Sequence, residues 1–341
     1  MFRRMKRMTT LHQAHVACAA RVARVARVAR VARLARRAGT VHLRAAALAS
    51  CLLGLAALLG PVSASAAGGK LLLTGGVSSI DGAAGGGLTP WALTGSHATE
   101  GEWGVTAHAT GVRTRDYSLA TAGALLSYSD LIELSLARQV FDTGDTGAAL
   151  GLPGLELKQD IVGLKLRIAG DAIVESDRWM PQVALGVLAK RSDSGGLAPT
   201  LASLGARRDG VDIYLSATKL FLAQGLLANL TLRATQANQN GLLGFGGTGK
   251  DRLRVMPEFS LALLLRRDIA IGAEWRAKPD NLNPSALGAG LKEDDWADLF
   301  IAWAPSKHLS LTLAYVDLGA IVPAVVTRRQ RGTYLSAQVA F

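Results

Sequence analysis

The chain ends on TYLSAQVAF, Thr333 to Phe341, and the alternation in these nine residues is unbroken. Thr333, Leu335, Ala337, Val339 and Phe341 fall on one side, and Tyr334, Ser336, Gln338 and Ala340 on the other. A period of two is the mark of an extended strand whose two faces meet different surroundings. The pattern recurs upstream. Val162, Leu164, Leu166 and Ile168 alternate with Ile161, Gly163, Lys165 and Arg167, and Ile132, Leu134 and Leu136 with Glu133, Ser135 and Ala137. Ile269, Ile271, Ala273 and Trp275 alternate with Ala270, Gly272, Glu274 and Arg276, and Leu309, Leu311, Leu313 and Tyr315 with Ser310, Thr312 and Ala314.

A soluble sandwich also alternates, so three further features decide the class. The face opposite the aliphatics is small or charged with both signs, which suits a wet barrel interior. Connections alternate in length: tight at 129–130, 223–225, 267–268 and 305–308, long and polar at 142–154, 192–210, 237–253, 278–294 and 317–330. Short turns on one rim and long loops on the other belong to membrane barrels. Finally, the terminal strand closes on an aromatic and resembles the insertion signal of outer-membrane barrels, with Tyr334, Val339 and Phe341 as the residues the assembly machinery reads. The expectation is an all-β, transmembrane, antiparallel up-and-down β-barrel.

Fourteen segments read as strands: 70–77, 91–97, 102–110, 117–128, 131–141, 155–168, 182–190, 211–221, 226–235, 258–265, 269–277, 296–303, 309–316 and 333–341. An even count puts both chain ends on the periplasmic side. Gly75-Gly76 interrupts the first segment, the second is short, and the fourth lacks a clear apolar face. Twelve strands is therefore the alternative, with the Gly-rich start folded inside as a plug. Trp91, Trp103, Trp275, Trp303 and Tyr315 lie at or near segment ends, where an interfacial aromatic girdle belongs.

The amino-terminal segment explains the basic composition. Residues 1–66 hold 12 Lys and Arg, among them the triplet repeat RVARVARVARVARLARR (21–37), and no Asp or Glu. That leaves 26 of the 38 basic residues to balance all 26 acidic ones, so the rest of the chain is formally neutral and no nucleic-acid surface is expected. An apolar run at 45–60 is followed by Pro61 and by Ala64-x-Ala66, whose small residues suit signal-peptide cleavage. Residues 1–66 therefore read as a cleaved export signal with a long basic start, and 67–341 as the barrel. A lipoprotein box (Leu48-Ala49-Ser50-Cys51) and a twin-arginine signal (Arg36-Arg37) fit less well, because the apolar run follows the Cys and no hydrophobic pair follows the arginines. Both cysteines, Cys18 and Cys51, fall in the signal, so neither a disulfide nor a Cys-based metal site is expected beyond it.

Candidate chemistry is sparse. GFGGTGKD (244–251) contains the glycine spacing of a phosphate loop, but Asp251 stands where the metal-binding Ser or Thr is needed, and it reads as an external loop. His108 would face the lumen between Thr106 and Thr110. A Ser–His hydrolase is conceivable there, yet nothing specifies the serine. The acidic groups at 142–145 and 292–295 read as solvated loop charge. No metal and no cofactor is expected. The inward set is mixed in sign: Lys165, Arg167, Lys190, Arg233, Arg276 and Lys278 against Glu133, Asp212, Glu258, Glu274 and Asp298. It fits either a narrow, weakly selective water path or a lumen closed by cross-barrel ion pairs.

The stretches GKLLLTGGVSSIDGAAGGGLTPWA from Gly69, LARQVFDTGDTGAALGL (136–152), YLSATKLFLAQ (214–224), LLGFGG (242–247) and FIAWAPSKHLSLTLAYVDLG (300–319) resemble the proteobacterial exported family called domain of unknown function 3034. The resemblance implies an envelope protein and carries no activity or catalytic residue with it. The sequence thus predicts a Gram-negative outer-membrane barrel in contact with lipid, lipopolysaccharide and the barrel assembly machinery, and not an enzyme. Passive passage of small solutes is the expected role. The alternative is a closed structural or binding barrel whose outer loops meet partners.

Overall fold

Two-faced strands carry the alternation around a single closed wall. The computed structural model describes residues 72–73, 75, 77–171, 179–284 and 290–341. The expected signal segment, with Ala64 and Ala66 at its cleavage site, lies outside the described residues. Two short strands come first, β1 (Val77–Ser78) and β2 (Ala84–Gly85). The wall follows: β3 (Trp103–Thr114), β4 (Ser118–Tyr128), β5 (Ile132–Asp142), β6 (Glu156–Ala169), β7 (Gln182–Asp193) and β8 (Asp209–Phe221). It continues through β9 (Leu226–Thr235), β10 (Arg254–Arg266), β11 (Ile269–Arg276), β12 (Trp296–Ser306), β13 (Leu309–Asp317) and β14 (Arg331–Ala340). Each wall strand pairs antiparallel with its sequence neighbours, and β14 closes the cylinder on β3. The backbone of Phe341 completes the seam by exchanging hydrogen bonds with Val105 at 2.8 and 3.0 Å.

The wall has twelve strands, and the count of fourteen is corrected accordingly. Val77, at the end of segment 70–77, pairs in β1 with β2, and 91–97 forms no strand. Residues 77–96 lie buried inside the cylinder, where β1 and β2 pair with each other, and 97–102 run along the turn rim into β3. The glycines that broke the strand pattern serve close approach. A Cβ at Gly86 would sit 1.9 Å from the Glu274 carboxylate, and one at Gly85 2.2 Å from the Thr89 carbonyl. The fourth segment does form a wall strand. Its outward face is Ala120, Ala122, Ala124, Leu126 and Tyr128, mostly too small to announce itself as apolar.

The rims follow the expected asymmetry with two exceptions. Long connections containing helix α1 (Gly144–Ala149) and helix α2 (Ala198–Ser203) lie on the same rim as those joining β9–β10, β11–β12 and β13–β14. On this rim, however, β3 and β4 are joined by only 115–117, and on the turn rim β6 and β7 are joined by 170–181. The β4–β5 turn places both Ser129 (φ 55°) and Asp130 (φ 51°) in the left-handed region, as the tightest hairpin turn requires.

The exterior is apolar between two charged levels. On β8 the outward residues between Asp209 and Lys219 are Val211, Ile213, Leu215 and Ala217. Ten residues at about 3.3 Å each, tilted by about 40°, cover about 25 Å, the height of the apolar band on membrane barrels. The loop-side limit is drawn by one in-register row of outward charges across β5–β8: Arg138, Asp160, Arg191 and Asp209. Arg138 and Asp160 meet at 3.2 Å, and Arg191 and Asp209 at 3.7 Å. Aromatic pairs mark the turn-side limit, Trp103 with Tyr128 at 4.6 Å and His308 with Phe341 at 5.3 Å. Trp303 is exposed near the same rim, while Trp275 and Tyr315 stand toward the loop side. Trp91 departs from the expected girdle. It lies buried on the inner segment and donates its indole N–H to Ser260 at 3.0 Å. Such an exterior belongs in hydrocarbon, and the barrel spans a membrane through its strands.

An outward charge should therefore be penalised by depth. Leu215→Arg, midway along the band, is expected to destabilise the barrel by about 2–4 kcal/mol, and Val211→Arg, beside the charged row, by about 1 kcal/mol or less. Denaturant titration of the protein folded in phospholipid vesicles measures both, and equal costs would contradict the assigned band.

A plugged and capped lumen as the candidate functional site

Inward residues of the wall face the segment 77–96, and polar contacts tie the two together all around. Gln139 donates to the Ile80 carbonyl at 2.6 Å and Gln182 to the Ala92 carbonyl at 2.9 Å. Ser216, Asn229 and Thr231 converge on the Pro90 carbonyl at 3.2, 3.3 and 2.8 Å. The Ser78 hydroxyl donates to Gln338 at 2.8 Å. Apolar side chains of the plug, Val77, Ile80, Leu88, Trp91 and Leu93, join a core with Leu220, Leu227, Phe300, Val316 and Tyr334 of the wall.

Three ionic groupings dominate the interior. In the first, Asp81 of the plug receives Lys190 (β7) at 3.1 Å, Arg233 (β9) at 3.3 Å and Arg276 (β11) at 3.1 Å, with the Asn240 amide donating at 2.8 Å. The wall supplies Asp212, 2.9 Å from Lys190 and 3.3 Å from Arg233, and Glu258, 2.5 Å from Arg233 and 3.2 Å from Arg276. Three cations thus meet three carboxylates, and one of those carboxylates comes from the plug. In the second grouping, Lys165 and Glu133 pair at 3.2 Å and clamp plug backbone. Lys165 donates to the carbonyls of Ala84 and Leu93 at 2.8 and 2.9 Å, while Glu133 accepts from the amides of Ala84 and Gly95 at 3.0 and 2.8 Å. In the third, Glu274 accepts from the Leu88 amide and the hydroxyls of Thr89 and Ser260, each at 2.7 Å, with Asp298 beside it in register.

Of the charged residues expected to face inward, Glu133, Lys165, Lys190, Asp212, Arg233, Glu258, Glu274, Arg276 and Asp298 lie buried on the inner face. Arg167 stands at the turn rim and pairs with Asp130 at 2.9 Å and Asp171 at 3.1 Å. Sequence reasoning missed Asp81, Asn240 and Gln239. Asp81 sits in a segment without periodicity, and the other two belong to a loop that folds inward.

That loop corrects a further expectation. GFGGTGKD does not stand out as an external loop; Phe245 is fully buried and exchanges backbone hydrogen bonds with Arg207, 2.9 Å in each direction. Leu242 and Leu243 pack with Tyr117, Phe141, Leu157, Leu201, Leu204, Leu282, Leu291 and Ile321 into an apolar cap over the loop end. The acidic run 292–295 is not merely solvated either. Glu293 is buried against Lys278 at 3.3 Å, and Gln239 bridges them, its amide N–H donating to Glu293 and its side-chain oxygen accepting from Lys278, both at 2.7 Å. Burial pushes the Glu293 carboxyl up and the Lys278 ammonium down from their ordinary values. On the outer rim, hydrogen bonding from Arg328 holds the Asp116 carboxyl below the usual carboxylate range, joining the β3–β4 and β13–β14 connections.

No solute-sized space remains beside the plug in the cavities that flank it. One of about 30 Å³ is lined by Val77, Trp91, Leu220 and Phe300, and one of about 50 Å³ under the cap by Tyr117, Phe141, Leu243 and Ile321. At ~10–15 Å³ per water, these hold a few waters at most. His108 is fully buried, and among the described residues neither ring nitrogen has a hydrogen-bond partner. Gly123 and Gln338 flank it in register, and among the described residues no serine hydroxyl is hydrogen-bonded to its ring. Among the described residues no three His, Cys, Asp or Glu side chains converge as metal ligands would.

Removing one partner from a buried ionic group leaves the others unpaired, at about 3–5 kcal/mol, whereas an exposed pair contributes about 1 kcal/mol or less. Asp81→Asn is accordingly expected to raise amide exchange in residues 77–95 by roughly 100-fold or more, and Asp160→Asn to leave it unchanged. Hydrogen-exchange mass spectrometry of the detergent-solubilised barrel reads both.

The family model described as "Protein of unknown function (DUF3034)" matches residues 74–338. No curated protein matches the sequence. Among solved structures, the chain is similar to the KdgM porin at 10% identity, covering 69% of this chain and 99% of that one, with a TM-score of 0.44. It is also similar to the COG4313 outer membrane channel from Pseudomonas putida F1 (12% identity, 72% and 97% covered, TM-score 0.42). A third is outer membrane phospholipase A from Escherichia coli (9% identity, 69% and 92% covered, TM-score 0.38).

Proposed function

Because the chain belongs to the DUF3034 family, whose description assigns no activity, we propose its function from its own geometry: a Gram-negative outer-membrane channel for small solutes that rests closed on its amino-terminal plug. The observation that carries this reading is the composition of the wall beneath the plug. Burying ionised side chains in a dry interior is expensive, and an apolar filling of the same volume serves a purely structural barrel as well or better. A wall bearing Lys165, Lys190, Arg233, Arg276, Glu133, Asp212 and Glu258 on its inner face suits water, and a separate, glycine-rich segment stops it.

The outer-membrane location is supported by the apolar band, the even strand number with both wall termini on the turn rim, and the export signal read from residues 1–66. In this reading the band meets lipid and the arginines of the charged row meet the phosphates of lipopolysaccharide. The assembly machinery reads the terminal strand, where Tyr334 faces inward and Val339 and Phe341 face outward. The protein acts without catalysis. A closed structural barrel is the second reading, favoured by the cap and by the small size of the cavities that flank the plug among the described residues, about 30 and 50 Å³.

Planar-bilayer recording separates the two. The native protein is expected to be silent for long intervals, and Asp81→Asn to show discrete steps with open time raised at least ~10-fold, about 1.4 kcal/mol of lost closure. Heat-dependent gel migration verifies that the variant barrel is folded. Continued silence from a folded variant whose plug exchanges freely would overturn the channel and leave the closed scaffold.

A further inference from the structure

Asp81 sits at the tip of a tight turn. Ser79 and Ala83 close it with a 2.9 Å backbone hydrogen bond, and Gly82 takes φ +91°, which leaves the Asp81 carboxylate projecting from the plug toward the wall. Its partners come from four separate elements: Lys190 on β7, Arg233 on β9, Arg276 on β11 and Asn240 on the inward loop. Each of the three cations is also held by an acid of the wall. Asp212 holds Lys190 at 2.9 Å, while Glu258 takes both Nε and Nη2 of Arg233 and, at 3.2 Å, Nε of Arg276. The wall alone therefore offers three positive charges against two negative ones, with the excess aimed at the place the carboxylate fills.

We propose that Lys190, Arg233, Arg276 and Asn240 form a binding site for the carboxylate of a small solute, which Asp81 occupies in the resting barrel. This rests on the channel reading above and names its substrate class. A solute carboxylate that takes these donors displaces Asp81 and weakens the plug's hold, so substrate and opening are linked by competition for one site. The neighbouring acids narrow the class further. Glu274 lies two residues from Arg276 on the same inner face, with Asp298 across from it in register. A second negative charge on the solute would be repelled there, so the site selects monocarboxylates.

Acetate is the probe. With Asp81→Ala protein in detergent micelles, acetate at constant ionic strength is expected to raise the thermal midpoint in a saturable way that chloride does not match. Adding Arg276→Gln should weaken the apparent acetate affinity by ~10-fold or more, the worth of one charged hydrogen bond. Succinate should bind more weakly than acetate. If Asp81→Ala fails to fold, as judged by heat-dependent migration, the native protein serves. Acetate should then increase amide exchange in residues 77–95, and equal chloride should not. A folded Asp81→Ala barrel that responds to acetate no more than to chloride, or a native plug indifferent to acetate, overturns the site. The two readings fail separately: binding of acetate by a variant that never conducts sinks the channel and keeps the site, and conduction indifferent to acetate does the reverse.

Discussion

A wall with hydrocarbon on its outer side cannot leave charge unanswered on its inner side unless water fills the space. In this barrel the space is filled by protein, so Lys165, Lys190, Arg233 and Arg276 and the acids that face them are each held to a partner by geometry. The plug is where that constraint is met. Asp81 completes the group of Lys190, Arg233 and Arg276, the plug amides of Ala84, Gly95 and Leu88 serve Glu133 and Glu274, and the carbonyls of Ala84 and Leu93 serve Lys165. Composition follows from this role. A segment threading between such partners must approach them with its backbone, and at Gly85 and Gly86 there is no room for a Cβ.

The cap applies the same rule at the loop end with a different chemistry. Apolar side chains from several long connections exclude water above the plug, and beneath them Gln239, Lys278 and Glu293 satisfy one another. Plug and cap meet at Asn240, which donates to Asp81 and accepts from Lys190 and Arg276 at 2.9 and 2.8 Å. Plug and cap are thus joined through one amide.

Much of the wall was legible because lipid imposes a strict rule on alternate residues. The strands around Leu164, Leu215 and Leu313 show it plainly, and the inward placement of Lys165, Lys190 and Arg233 follows from parity alone. The interior was legible only in outline. Two-sided alternation says nothing of a segment that has wall on every side, so 91–97 passed for a strand and Trp91 for a girdle residue, its indole serving equally well beside Ser260. Nor does a polar, glycine-rich loop such as 236–253 reveal whether it faces water or the lumen. Asp81 was invisible because its partners lie 109 to 195 residues away and only barrel closure unites them.

The claim beneath all of this is that residues 77–96 occupy the lumen. Beyond Cys51 the chain has no cysteine, so a pair introduced as Ser96→Cys on the plug and Ser127→Cys on β4, whose hydroxyl oxygens now meet at 2.6 Å, reports on it without interference. In the folded barrel the account predicts near-complete disulfide formation under mild oxidation and, under reducing conditions, thiols shielded from a bulky water-soluble maleimide. Two thiols that never cross-link and are both labelled quickly in the folded protein would contradict it.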